Sequence, residues 1–303
     1  MKMYLIGLEQ SGKCMYRTYG KEDGTTVKMV GFESELPNLK PGKCYEVKFS
    51  ESDTWRNIIK VGPETEIEDD PELIKAFGPK PVPTLKDIVE VIVDYVNKTP
   101  DRDNNLEPRQ ISVKQVMDAI KCLFEDDMEN ARKFTRIPAS LSYHDAQIGG
   151  LLIHIYNMVK MASECMVADG VFRQYNLRPL VLMIGILVHD IGKVEQYNDN
   201  NGIWEQSDEA RYIGGHITTG SIRWGRKGQK ACEILGYPKM YIDIMHIILS
   251  HHGNKELGYG SVISPQSPEA WAIHALDLMD SRQEKFFIPK LSEEEWKAKT
   301  EEG

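Results

Sequence analysis

The chain has 303 residues, 41% of them apolar and 27% charged, with a formal net charge of −9; these are globular values, enough for one large domain or two modest ones. No apolar run reaches the length of a membrane span, and the opening MKMYLIGLEQ is too short and too polar for a signal peptide. Five scattered cysteines (Cys14, Cys44, Cys122, Cys165, Cys232) form neither a disulfide framework nor a zinc ribbon, so a reducing cytoplasm is the expectation, and the acidic balance does not mark a nucleic-acid binder.

Taken in chain order, MYLIGLEQ, CMYRTYG, TTVKMVGFE, KCYEVKFS and RNIIKVG mix alternating and continuous apolar residues, and the turn signals QSGK, KEDG, LKPG and SESD separate them. Five short strands within residues 1–65 predict a small β-barrel, OB-like, with a generic sandwich or SH3-like barrel as the alternative. This segment carries ten Lys/Arg against nine Asp/Glu, so the acidic excess resides in the remainder. An acidic and then proline-rich stretch over 66–83 reads as a linker flanking a short helical turn. From residue 84 the apolar period becomes helical in TLKDIVEVIVDYVNK, SVKQVMDAIKCLFED and MENARKFTRI, with Thr84 as a candidate N-cap. Residues 84–140 are expected as a helical connector, 141–290 as a helical domain and 291–303 as a polar tail. The fold class is mainly α, preceded by a small N-terminal β-barrel.

All eight histidines lie between residues 144 and 274. One histidine on an apolar helix is ordinarily a core residue with a satisfied hydrogen bond. Here several sit on separate apolar segments: His154 in GGLLIHIYNMV, His189 and Asp190 ending LVLMIGILVHD, His216 after two glycines, His251 and His252 ending IMHIILSHHG, and Asp277 in WAIHALDLMDS. A shared divalent metal explains such burial, because neutral imidazole and carboxylate are ordinary ligands and the ion offsets the desolvation of the aspartates. The absence of thiolates favours a hydrolytic metal. In an adjacent His-Asp pair one carboxylate can bridge two ions, an arrangement suited to phosphoester hydrolysis.

The ordered set H…HD…H…HH…D resembles the HD-domain phosphohydrolase superfamily in its two-metal variety. PASLSYHDAQIGGLLIHIYNMVKMA, ILVHDIGKV, GGHI, HIILSHHG and SPEAWAIHALDLMDS, spread over about residues 130–285, are similar to the YhaM-type 3′→5′ exoribonucleases, which join an N-terminal OB-fold to a helical HD domain. The resemblance implies a first ion on His154, His189, Asp190 and Asp277, and a second sharing Asp190 with His216, His251 and His252. Asp280 lies one turn past Asp277 and is the alternative last ligand, although the family spacing favours Asp277. Lys193 would hold a phosphate as a catalytic and substrate-binding cation; the alternative is a surface lysine near a helix end. His144 resembles a recurrent histidine that contacts substrate, whereas His246 and His274 read as structural groups that orient a ligand. The resemblance suggests two Mn ions, and the N/O donor set also admits Fe, Co, Ni or Zn.

Three functions compete. The first is a metal-dependent phosphodiesterase acting as a 3′→5′ exonuclease on single-stranded RNA, with DNA also admitted. The barrel would then grip the strand through Lys13, Arg17, Lys28, Lys48, Arg56 and Lys60 with Tyr16, Tyr19, Tyr45 and Trp55. The second is an HD-type nucleotide or cyclic-nucleotide phosphohydrolase. The third is a non-catalytic nucleic-acid-binding protein with a structural metal, against which the intact ligand set argues. The expected partner is single-stranded nucleic acid, RNA favoured, with no membrane, and a homo-oligomer is left open.

Overall fold

The computed structural model describes residues 1–11, 14–22, 26–32, 39–51, 59–78, 80–141, 145, 147–165, 177–200, 203–258 and 260–283. They divide into two compact units, one built mainly from Met1–Lys80 and the other from Pro81–Ser140 with Ile148–Ser281. His144 and the tail 291–303 lie outside the described residues.

The first unit contains β1 (Lys2–Ser11), β2 (Cys14–Lys21), β3 (Thr26–Phe32), β4 (Cys44–Glu51), β5 (Ile59–Glu66) and a short helix α1 (Pro71–Phe77). The pairing order is β1-β2-β3-β5-β4, and β4 pairs back onto β1 with Lys2 opposite Glu46. The β3–β5 seam is parallel and narrow, with Met29 opposite Ile59 and Val30 opposite Lys60, whereas the other ladders are antiparallel. Met3, Leu5, Met29 and Val47 fill the interior.

Three residues expected to grip a strand face that interior instead. Arg17, Tyr19 and Tyr45 are buried. Arg17 Nε lies 2.9 Å from Glu64 Oε1, the Tyr19 hydroxyl donates to the same carboxylate, and the Tyr19 and Tyr45 rings meet edge to face. Burying a cation and a carboxylate together is tolerated because their charges compensate, and the Tyr19 hydroxyl adds a hydrogen bond to the carboxylate. Lys28 is exposed and sits 4.8 Å above the ring of half-buried Tyr16, and Lys48 is also exposed. Lys13, Trp55 and Arg56, and the side chain of Lys60, lie outside the described residues.

The second unit is helical: α2 (Leu85–Lys98), α3 (Val113–Leu123), α4 (Met128–Phe134), α5 (Gly150–Cys165), α6 (Pro179–Val188), α7 (Lys193–Gln196), α8 (Asp208–Tyr212), α9 (His216–Ile234), α10 (Met240–Ser250) and α11 (Pro268–Gln283). Thr84 caps α2, accepting from the Asp87 amide while the Asp87 carboxylate accepts from the Thr84 amide, and Ser112 with Gln115 does the same for α3. The segment 84–140 packs into this unit, with α2 against α5 and α6, and α3 against α9. All ten residues of α6 are buried, which is why its sequence is apolar on every face.

One feature differs from the helical reading of residues 141–290. The short strands β6 (Tyr197–Asn200) and β7 (Ile203–Gln206) pair antiparallel. An Asn-Gly dipeptide, the common hairpin signal, stands between them at 201–202. At the start of α6, buried Arg178 donates to Glu269 from Nε and Nη2 at 3.0 Å each, and to Asp243 from Nη1 and Nη2 at 2.7 and 2.9 Å. This fork ties the head of α6 to α10 and α11.

Candidate metal centre

The buried helix α6 ends in polar residues because its last turn delivers them to a common point. His189 occupies the C-cap, and its Nδ1 contacts Ile186 O at 2.8 Å. A main-chain carbonyl can only accept, so Nδ1 carries the proton and Nε2 presents a lone pair. At the C-cap of α10, His251 repeats the arrangement with Ile248 O at 2.9 Å. His154, fully buried on α5, directs Nδ1 to Asp280 Oδ2 at 2.7 Å, and the amide of Asn157 donates to Asp280 Oδ1 at 2.9 Å. His216 opens α9 after Gly215, whose φ of +75° is favourable for glycine alone.

These rings converge on Asp190. Its Oδ2 lies 3.8 Å from His154 Nε2 and 3.4 Å from His189 Nε2, while its Oδ1 lies 3.3 Å from His216 Nε2 and 3.6 Å from His251 Nε2. One carboxylate thus faces two groups of nitrogens with its two oxygens. Asp277 Oδ1 is 3.4 Å from His154 Nε2. The two aspartates of α11 therefore meet opposite nitrogens of one ring: Asp277 lies on the converging side and Asp280 behind it. His252 stacks edge-on against both His251 and His216, with ring centroids 4.3 and 5.0 Å apart.

Donor atoms of His154, His189 and Asp190 lie within 4.8 Å of one another, as do those of His216, His251 and His252. Each set fits a divalent cation in chemistry and spacing. Asp190 Oδ1, His216 Nε2 and His251 Nε2 are buried and make no hydrogen bond, a costly condition that a cation would relieve.

Electrostatics follow from the packing. Burial by itself would raise the Asp190 carboxyl, but Lys193, His189 and His216 outweigh it and hold it well below the usual carboxylate range. Asp277 is lowered in the same way, burial being outweighed by His154, His189 and His251. Burial, with His252 and Lys193, holds the His216 ring well below an ordinary imidazole despite the pull of Asp190. Burial and His251 bring His252 down to about 4. Neutral imidazole is the form that donates to a metal.

Lys193 differs from the surface lysine that was its alternative reading. It is buried, and its Nζ lies 2.5 Å from both Asp190 Oδ2 and Ala139 O. Of the histidines expected to be structural, His274 places Nδ1 3.0 Å from His251 O, and His246 Nε2 accepts the Gln266 amide at 2.9 Å. One contact had no counterpart in the sequence reading: Gln196 Oε1 lies 2.6 Å from His216 Nδ1. Its signal in the sequence was only its place three residues after Lys193.

Comparison with known proteins supplies a family match and named relatives. Residues 151–282 match the HD domain family model. Among characterised relatives, the chain is similar to the protein named 3'-5' exoribonuclease YhaM from Bacillus licheniformis, 28% identical over 193 residues that cover 59% of this chain and 58% of that protein. The protein of the same name from Listeria monocytogenes serotype 4b is 30% identical over 175 residues, covering 58% of this chain and 50% of its own length. The chain thus spans a little over half the length of the curated relatives it matches. No solved structure matches it. Among the described residues no helix is long and apolar enough to cross a membrane.

Proposed function

We propose that the chain is a metal-dependent phosphodiesterase that removes nucleotides from the 3′ end of single-stranded RNA, with DNA as a further substrate. The observation that carries this reading is the position of Asp190, one oxygen toward His154 and His189 and the other toward His216 and His251. In it, His154, His189, Asp190 and Asp277 hold one ion, and Asp190, His216, His251 and His252 hold the second, with manganese favoured. A bound pair would supply charge stabilisation at the phosphoryl oxygens and an activated water. The names of the relatives support the polarity and the RNA substrate.

The chain's own residues have separable tasks. Lys193 keeps Asp190 ionised and aimed; an ammonium has three N–H groups, and two are directed at Asp190 and Ala139, which leaves one for a phosphate oxygen. His144 remains a candidate contact to substrate. The β unit, read as OB-like from its pairing order, would dock the strand through exposed Lys28 and Lys48 beside Tyr16. The retreat of Arg17, Tyr19 and Tyr45 into the interior weakens that grip and keeps a nucleotide or cyclic-nucleotide phosphohydrolase as the second reading.

Single-turnover cleavage of 3′-labelled and 5′-labelled oligonucleotides separates the two. Release of labelled mononucleotide first from the 3′-labelled strand is expected. Hydrolysis of cyclic nucleotides with intact oligonucleotides would transfer the assignment to the second reading, and neither activity with manganese bound would leave a structural metal.

A further inference from the structure

Four histidines present Nε2 to the centre because something holds Nδ1, and the holding groups differ in kind. His189 and His251 use main-chain carbonyls of their own helices, at 2.8 and 2.9 Å. His154 uses the carboxylate of Asp280 at 2.7 Å. His216 uses a neutral side-chain amide, Gln196.

Gln196 is fixed from both ends. Its side-chain Oε1 accepts the backbone N–H of His216 at 2.8 Å and lies 2.6 Å from His216 Nδ1. Its main-chain carbonyl accepts the Ser207 amide at 2.8 Å, so its backbone is anchored where the β6–β7 ladder begins. The backbone N–H is always a donor, so the amide atom facing it must be the oxygen. That same oxygen can only accept from the ring, which places the proton on Nδ1 and the lone pair on Nε2, 3.3 Å from Asp190 Oδ1. The chain turns into this position through Gly215, where a Cβ would lie 3.5 Å from Gln196 Oε1.

We propose that Gln196 is a positioning residue for the second ion: its amide oxygen sets the tautomer and aim of His216. Because it is neutral where Asp280 is a carboxylate, it adds to the weaker hold on the second ion, which also lacks the direct carboxylate that Asp277 would give the first. A carboxylate behind an imidazole raises its basicity as a ligand, whereas an amide orients it without adding charge. This inference rests on the two-ion reading above.

The test is a manganese titration of the full-length protein by calorimetry and by electron paramagnetic resonance of free Mn²⁺, for wild type, Gln196→Leu and Gln196→Glu. Wild type should show a tighter and a weaker event. Gln196→Leu should weaken the second event by about 10–100-fold and leave the first unchanged, the range expected when such an outer contact is lost. Gln196→Glu keeps the acceptor and adds charge, so it should tighten the second event beyond wild type. A second event unchanged in Gln196→Leu, or both events weakened equally, overturns the inference. If Gln196→Leu does not fold, Gln196→Glu decides alone, and an unaltered second event in it is fatal. A single event in wild type removes the two-ion reading itself, a result distinct from any behaviour of the variants.

Discussion

Gly192, in the HDIG segment, is where the end of α6 meets the start of α9. Its φ of −71° and ψ of −7° suit alanine, so Gly192→Ala introduces no backbone strain. In open space such a change would stabilise the protein by about 0.4–1 kcal/mol through the unfolded chain. The space is closed: a Cβ would lie 2.0 Å from His216 O, 2.4 Å from Gly220 N and 2.6 Å from Thr219 Oγ1. Two of these are backbone atoms in the first turns of α9, so the helix must recede by about 1 Å to reach even 3.0 Å. The Thr219 hydroxyl, which donates to Gly192 O at 2.9 Å, resists that movement. Overpacking of this kind costs about 1–3 kcal/mol, which offsets the entropic gain and leaves a net loss of up to about 2.6 kcal/mol. At roughly 2–4 °C per kcal/mol for a protein of this size, Tm should fall by a few degrees. The larger effect is on the site. His216 moves with α9, and a misplacement of about 1 Å is worth about 100-fold in rate. Thermal denaturation, with a manganese titration and the hydrolysis rate followed in parallel, measures both. Wild-type Tm and wild-type metal affinity in Gly192→Ala would refute the reasoning.

Asp190→Asn preserves size but removes the charge that faces both nitrogen groups, so purified protein should lose metal at both positions and lose hydrolysis with it; full metal content by elemental analysis would contradict the shared position. Lys193→Met leaves the Asp190 carboxylate buried without a cation, at a cost of about 3–5 kcal/mol in metal-free protein, and saturating manganese should restore most of it; equal losses of Tm with manganese and with chelator would count against that account. Glu269 is pushed up by burial, but its bonds from Arg178 outweigh this and hold it below its ordinary 4.5. A depressed carboxylate lends stability that is complete above its unfolded value and drains as pH falls through the lower folded value. Glu269→Gln should therefore lower the denaturation midpoint above pH 4.5 and flatten its decline below, and a parallel acid limb in both proteins would show that this carboxylate does not carry the dependence.

Much of the fold is local in origin and was legible. The five strand patterns fall on β1 to β5, and the Thr84 cap is written three residues ahead of its Asp87 partner. The gathering of His154, His189, Asp190, His216, His251, His252 and Asp277 was signalled by polar groups on apolar helices, which need a common reason to be buried. What stayed hidden depends on partners far along the chain. Arg17 and Tyr19 reach Glu64 more than forty residues away, so an interior ion pair reads in sequence as an exposed basic strand. Arg178 meets Glu269 across 91 positions. Asp277 and Asp280 share one helix face, and only the orientation of the His154 ring tells them apart. The β6–β7 strands are four residues each, too short for a period to register against the surrounding helices.

The last carbonyls of any helix lack intrahelical donors, and at α6 and α10 the rings of His189 and His251 supply them. Helix termination and ligand aim are therefore a single contact at each place. No side-chain substitution elsewhere can release these two rings while the helix end stays wound, and any fraying of the final turn loosens the corresponding ring. Asp280 and Gln196 are attached differently, through side chains that can change one residue at a time. The centre thus has two arms welded to the scaffold and two bolted on, and the bolted pair is where a single substitution can retune metal preference without redesigning the fold.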